Sequence, residues 1–406
     1  MDIPEADNSP KPELSVNDRL GIATEFITSQ GGTITYEQFM GLSMYGEGLA
    51  SDLADSFGYY TSGRARIHGG DFTTAPEMTS LFGVLTTRRL ANIWDTQGKP
   101  DRFDIVEMGG GNGVWARDIL QELEYLDRAG TFPGIADSIK YKLVEISPAL
   151  AARQQVTLEE AGLSSKASWV YGSALDLPDD LQVSGAFISN ELIDTFPTHR
   201  VAKHGGKLLE IVVKTQGGKL LEDVQELENP SIDSYLEQAD QEIPEGGTVN
   251  INLRALQWLD GVALHLESGH VLTIDYGSNR LPSELRFFPD RIHAPQLQYS
   301  EPGSFDITSD VDFSALASQG VASGLATVNF AGQATYFNLP RTANGENASR
   351  IDNLITGDHW TKSGPRSIKI GINKAVELAG LDCYVLEQKK QLAVVTATAN
   401  FTASFA

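Results

Sequence analysis

FDIVEMGGGNG, residues 103–113, joins an extended, apolar run to a helical-looking one, VWARDILQEL. Three glycines alternate at Gly109, Gly111 and Gly113, with Glu107 just ahead of them. A glycine-rich loop between a strand and a helix lets the backbone pass close to a ligand and turns amides and the positive helix end toward it. Spacing decides between ligands. The dinucleotide pattern G-x-G-x-x-G fails, because the sixth position counted from Gly109 is Val114. The phosphate-binding pattern G-x-x-x-x-G-K-[ST] fails too, because no lysine follows Gly113. What stands is acid-x-G-x-G-x-G.

Outward from this loop, strands and helices alternate through residues 102–200: RFDIVEMG, a helix to about Ala129, IKYKLVEIS, a helix around ALAARQQVTLEEAG, WVYGS, then GAFISNELIDTFP. Short, nearly continuous apolar runs between helical segments predict a parallel sheet covered on both faces, an α/β fold. Residues 18–100 read as an N-terminal helical cap, ending in a helix from Pro76 to about Thr96. HRVAKHGGKLLEIVVKTQGGKLLEDVQEL reads as antiparallel strands with two Gly-Gly turns, a β-element inserted at about 200–250. A helix over about 250–268 then leads to GHVLTIDYG, a fifth buried strand of a core spanning 101–280. Residues 281–395 supply acceptor loops and closing strands, among them FDITSDVDFSALASQGVASG and a C-terminal hairpin, CYVLEQKKQLAVVTAT, closing the sheet edge. Residues 1–17 and 396–406 are expected to be tails, the first disordered.

A net charge of −23, from 31 Lys+Arg against 54 Asp+Glu, argues against nucleic acid and anionic membranes as partners and favours a cationic substrate. Solubility, or a salt-adapted surface, is the simplest account of the charge itself. The acidic, proline-containing start has neither signal-peptide nor transit-peptide character, which leads to an expected cytoplasmic location. Cys383 is the single cysteine, so disulfide frameworks and cysteine zinc sites are out, and it reads as a buried strand residue.

The glycine pattern resembles the first motif of class I S-adenosylmethionine-dependent methyltransferases, whose sheet is Rossmann-like. The resemblance narrows along the chain. GYY (58–60), GDFTTAPEMTSLFG (70–83), FDIVEMGGGNG (103–113), SNELIDTFPTHRV (189–201), GHVLTIDYG (269–277) and PGSFDITSDVDFSAL (302–316) follow one another in the order found in the MidA family. That family includes mitochondrial complex I assembly factors that methylate an arginine side chain of a respiratory subunit. Its usual form of the first motif is closer to E-x-G-P-G-x-G, from which Gly110 and Asn112 depart.

Such a cofactor needs further contacts. Adenosyl ribose hydroxyls suit a carboxylate at the end of the next strand, where Glu145 stands with Ile146 beside it to pack on adenine. Ser173 and Ala174, after the third strand, could border the adenine. Carried over from the family by position, Glu107, Gly109, Gly111 and Gly113 would contact the cofactor. Gly70-Asp71-Phe72-Thr73-Thr74 would cap its methionine end, with Thr73 or Thr74 near the carboxylate, and Asn190-Glu191 would flank the methyl. Asn190, Glu191 and Asp194 follow the fourth strand, where open α/β sheets bind ligands, and two carboxylates there suit a cationic acceptor. Asp194 alone could equally be a helix cap. Asp275 and Tyr276, ending the fifth strand, would line the acceptor pocket. His199 reads equally well as a plain loop residue, and Trp94, Trp115 and Trp169 as core.

The resemblance implies direct methyl transfer to a guanidino nitrogen of a protein, with Glu191 and Asp194 gripping the guanidinium and accepting its proton, and without a metal. A small-molecule N-methyltransferase for free arginine or another guanidino or amino metabolite, and a non-catalytic assembly factor, are the rival readings. The expected partner is a guanidino-bearing protein or small molecule; a homodimer is admitted.

Overall fold

The alternating apolar runs become a seven-stranded sheet. Its strands are β1 (Phe103–Met108), β2 (Ile139–Glu145), β3 (Ala167–Tyr171), β4 (Val183–Asn190), β5 (Leu266–Asp275), β6 (Leu325–Gly332) and β7 (Asp382–Gln388). They lie in the order β3-β2-β1-β4-β5-β7-β6. The first five are parallel to one another, and β7 runs antiparallel to both β5 and β6. This computed structural model describes residues 14–65, 73–239, 241–288, 296–337 and 382–388. Both the α/β class and the Rossmann-like sheet expected from the sequence are present.

Successive side chains of a strand leave opposite faces, and the two cores follow that period. Phe103 and Ile105 of β1, Tyr141 and Leu143 of β2, and Ala186 and Ile188 of β4 enter one core with Phe82, Trp94 and Trp115. Val106 and Met108 of β1, Val144 of β2 and Phe187 of β4 enter the other with Trp258, Leu259 and Phe313. Helices Leu81–Thr96 and Val114–Arg128 cover the first face; Leu253–His265 and Phe313–Ala322 cover the second.

Several expectations are corrected. The helix expected from Pro76 to Thr96 is two: Ala75–Met78 and Leu81–Thr96. Thr79 between them is extended, and its hydroxyl accepts the N–H of Leu81 at 3.2 Å, a local bond that competes with helix. The helix expected over 250–268 is Leu253–His265, because Thr248–Ile251 is a strand and β5 already begins at Leu266. The described part of the C-terminal run, Asp382–Gln388, does not lie at the sheet edge. β7 sits between β5 and β6, so β6 is the edge strand among the described residues, and the rest of that run, from 389, with the expected hairpin, lies outside them.

The inserted β-element forms a second sheet. His199–His204, Lys207–Gln216 and Lys219–Glu226 turn at Gly205-Gly206 and Gly217-Gly218, and Thr248–Ile251 completes one side. The N-terminal region is not wholly helical: Thr33–Thr35 pairs antiparallel with Val212–Lys214. That pairing docks Val16–Ser29 and Tyr36–Tyr45 on this sheet, where Ile27, Tyr36, Phe39, Phe57 and Val213 share a third core.

Candidate active site

β1 is flanked by β2 on one side and β4 on the other, so the connections leave it in opposite directions and open a crevice at the carboxyl ends of these strands. A cavity of about 750 Å3, counting its open side, lies there. Thr74, Glu107, Gly109, Gly111, Glu145, Ile146, Asn190 and Glu191 are among its walls. A second space of about 450 Å3 adjoins it, sharing Gly109, Glu145 and Ile146 and adding Ser173 and Ala174. The structure thus gathers most of the residues expected at the cofactor. Gly113 stands behind the wall as the cap of helix Val114–Arg128, and Thr73 is exposed beside it. Gly70, Asp71 and Phe72 lie outside the described residues.

The loop offers closeness rather than all of its amides. The N–H of Gly109 donates to Val144 O at 3.1 Å, and that of Gly113 to Gly110 O at 2.8 Å. Opposite, Glu145 accepts the N–H of Ser147 at 2.9 Å and the side-chain amide of Gln154 at 2.8 Å. Gln154 also donates to Gly111 O at 3.1 Å and accepts from Trp169 Nε1 at 3.0 Å, so one buried amide couples the acid to the glycine loop. Burial pushes the Glu145 carboxyl up to about 7, against the pull of these bonds. Glu107 is likewise buried, and its carboxyl is pushed up to about 8; Tyr141 donates to it at 2.5 Å.

Unpaired acceptors on this wall fit S-adenosylmethionine. Glu145 retains lone pairs beyond the two bonds it accepts, and it borders both spaces. Asn190 is buried, and its Oδ1 has no hydrogen-bond partner among the described residues. Ribose hydroxyls and an α-ammonium are the kinds of donor these oxygens lack.

The loop after β4 is held from β5. Asp275 is fully buried, accepting the N–H of Ile193 at 2.9 Å, of Asp194 at 3.3 Å and of Tyr276 at 2.8 Å. This corrects two expectations. Asp275 is not a lining residue, because backbone amides occupy its carboxylate, and it rather than Asp194 caps the turn Ile193–Thr195. Asp194 lies behind the cavity wall, 3% exposed, with Oδ1 lacking a partner among the described residues. Burial holds its carboxyl well above the usual range, and Asp275, Glu191 and Asp306 add to the shift. Glu191 does line the cavity. Its carboxyl is pushed up to about 8 by burial first and Asp275 next, and its backbone is left-handed at φ 50°. Tyr276 is partly buried under the Arg286 guanidinium, 5.2 Å from its ring centroid, and is absent from the cavity walls.

Sequence reasoning missed Tyr45, Tyr60, Leu192, Thr195 and Gln154. Tyr60 ends the stretch GYY (58–60), which carries no local sign of a site, and Gln154 is an interior helix residue with no local signal either. Trp94 and Trp115 are core, and Trp169 packs against it. His199 is not a plain loop residue, since it pairs with buried Glu210 at 2.7 Å.

A family model for S-adenosyl-L-methionine-dependent methyltransferases matches residues 85–331. The mitochondrial protein arginine methyltransferase NDUFAF7 homolog of Drosophila melanogaster is 25% identical over 287 residues, covering 63% of this chain and 61% of that protein. Protein arginine methyltransferase NDUFAF7 of Bos taurus is 29% identical over 300 residues, 67% of this chain and 64% of its own. The match thus spans slightly under two thirds of these relatives. A protein from Burkholderia thailandensis, solved bound to S-adenosyl-homocysteine, shares the fold at a TM-score of 0.74 and 24% identity, covering 94% of this chain and 95% of that one.

Proposed function

The chain belongs to this family of S-adenosyl-L-methionine-dependent methyltransferases, and from that premise we propose that it methylates a guanidino nitrogen of a protein. The observation that carries the reading is the buried acid group beside the cofactor cleft: Glu191 in the wall, and Asp194 behind it with an oxygen unpaired among the described residues. Burial favours the protonated form of both groups, and a cation bearing several N–H groups held against Glu191 favours the carboxylate. The arginine methyltransferase names of the relatives support the same acceptor.

In this reading Gly109, Gly111 and Glu107 shape the floor, Gly113 turns the loop into the helix behind it, and Glu145 with Ile146 takes the ribose and adenine side. Ser173 and Ala174 border the adenine, while Asn190, Thr73 and Thr74 take the methionine end. When bound, the cofactor supplies a methyl group already activated on a sulfonium. A guanidinium is a poor nucleophile, since it is protonated and its lone pairs are delocalised. Glu191 orients it, draws its charge to the nitrogens it touches, and accepts the proton released as the attacking nitrogen is alkylated. Asp194 adds negative potential from behind once the cation favours its ionised form.

Incubation with methyl-labelled cofactor and either cell extract or free arginine tests the reading. Label in polypeptide, recovered as methylated arginine after hydrolysis, is expected. Label in free arginine would move the acceptor to small molecules, and cofactor binding without transfer to either would support a non-catalytic role. Glu191→Gln keeps the shape and removes the charge, so turnover is expected to fall by about two orders of magnitude or more with cofactor affinity little changed.

A further inference from the structure

Tyr45 and Tyr60 line the same cavity as Glu191. Their rings lie 5.9 Å apart between centroids and 19° from parallel, and Tyr59 abuts Tyr60 edge-on at 5.1 Å. Each is fixed at its far end. The Tyr45 hydroxyl donates to Thr195 O at 3.2 Å and lies 2.9 Å from Thr195 Oγ1, on the turn that carries Asp194. The Tyr60 hydroxyl donates to Asp306 Oδ1 at 3.0 Å. The Tyr60 main chain is fixed as well, its N–H donating to Met44 O at 3.0 Å and its carbonyl accepting from Ser147 Oγ at 2.8 Å. Burial is the main cause that keeps both phenols un-ionised.

A pair of near-parallel neutral rings with carboxylates behind them is a surface for a delocalised cation. A guanidinium lies flat on π faces and is weakly hydrated; an ammonium of equal charge is compact and gives up more hydration on entering. We propose that Tyr45 and Tyr60 form the platform for the acceptor cation and select a guanidinium over an ammonium, with Asp306 the positioning residue that fixes Tyr60. The inference rests on the guanidino reading above and adds to it the source of its specificity. Both tyrosines precede the residues matched by the family model, so the N-terminal region supplies this part of the pocket.

Agmatine and cadaverine, flexible diamine-type cations that differ in having a flat or a tetrahedral head, serve as probes. Each is titrated by calorimetry into the full chain saturated with S-adenosylhomocysteine. The parent is expected to bind agmatine roughly tenfold more tightly. Tyr60→Leu and Tyr45→Leu should bring the ratio toward one, whereas Glu191→Gln should weaken both probes alike. Asp306→Leu should copy Tyr60→Leu, and Asp306→Asn, which keeps an acceptor for the phenol, should restore the preference. That last pair decides the matter if a tyrosine variant fails to fold. A preference that survives in Tyr60→Leu and Tyr45→Leu, or in Asp306→Leu, overturns the platform while the guanidino reading stands. A parent that binds neither probe, or prefers cadaverine, removes both.

Discussion

The carboxylate of Asp275, at the end of β5, accepts the N–H of Ile193, in the turn beyond β4, at 2.9 Å. Two neighbouring parallel strands are thereby clamped at their carboxyl ends, and the acid-bearing loop is fixed through its backbone amides. The same carboxylate, buried beside Glu191, is the second cause of the rise in the Glu191 carboxyl.

Asp275→Asn separates these two effects. Asp275 takes Tyr276 N–H on one oxygen and Ile193 and Asp194 N–H on the other, so an amide must turn its NH2 toward one set. The lost acceptor is expected to cost about 1–3 kcal/mol, read by denaturant unfolding. Removing the charge should also lower the acid limb of the kcat/KM profile, which in the parent follows Glu191 near pH 8. An unchanged limb would mean that Glu191 is not the group being titrated.

Glu191 makes stability depend on pH. Its native carboxyl sits at about 8, against 4.5 for an ordinary glutamate. Between those values the native state binds more protons than the unfolded one, so its contribution is lost as pH rises from 4.5 toward 8. Glu191→Gln removes that share, and its gain in Tm over the parent should grow from pH 5 to pH 8. At φ 50° the backbone favours Asn over Gln, so Glu191→Asn should exceed Glu191→Gln by about 1 kcal/mol at both pH values. Equal stability of the two variants would show that the left-handed backbone carries no cost.

What the sequence disclosed was local. Acid-x-G-x-G-x-G, the apolar runs of β1 to β5 and the Gly-Gly turns are written in neighbouring residues, and these elements are where they were expected. What it concealed depends on distant partners. β7 enters between β5 and β6 because strand order is settled by which edges meet, and the three residues Thr33–Thr35 are too short to announce a strand without Val212–Lys214 beside them. Asp275 looked like a pocket acid because an aspartate at a strand end gives no sign of the amides that will occupy it.

The glycine loop divides into two kinds of position. A Cβ on Gly113 would stand 2.9 Å from Gln154 Cα, which is backbone and cannot move aside, at φ 78°. A Cβ on Gly109 would meet only Leu192 Cδ1, at 3.0 Å, the end of a mobile side chain that borders the cavity. Gly113→Ala should therefore lower Tm far more than Gly109→Ala, whose backbone strain alone costs about 1–2 kcal/mol. Gly109→Ala should instead weaken S-adenosylhomocysteine in calorimetry while staying folded. The opposite ranking in thermal unfolding would refute this division.

Gln154 gives the sharpest test of the cofactor wall. It is fully buried, and its single amide serves Glu145, Gly111 O and Trp169 Nε1. Gln154→Leu keeps the approximate volume and leaves those groups without their partner. The hydrogen bond from Gln154 helps hold the Glu145 carboxyl down near 7, so without it the carboxyl rises further and is protonated through more of the neutral range. A protonated Glu145 loses the charge-assisted bonds expected with ribose hydroxyls, and the Kd for S-adenosylhomocysteine should rise about tenfold at pH 7. Raising the pH to 9 should recover part of that loss, because the carboxylate re-forms. A variant damaged only in packing would bind equally weakly at both pH values, which would show that Gln154 fills space rather than tuning Glu145.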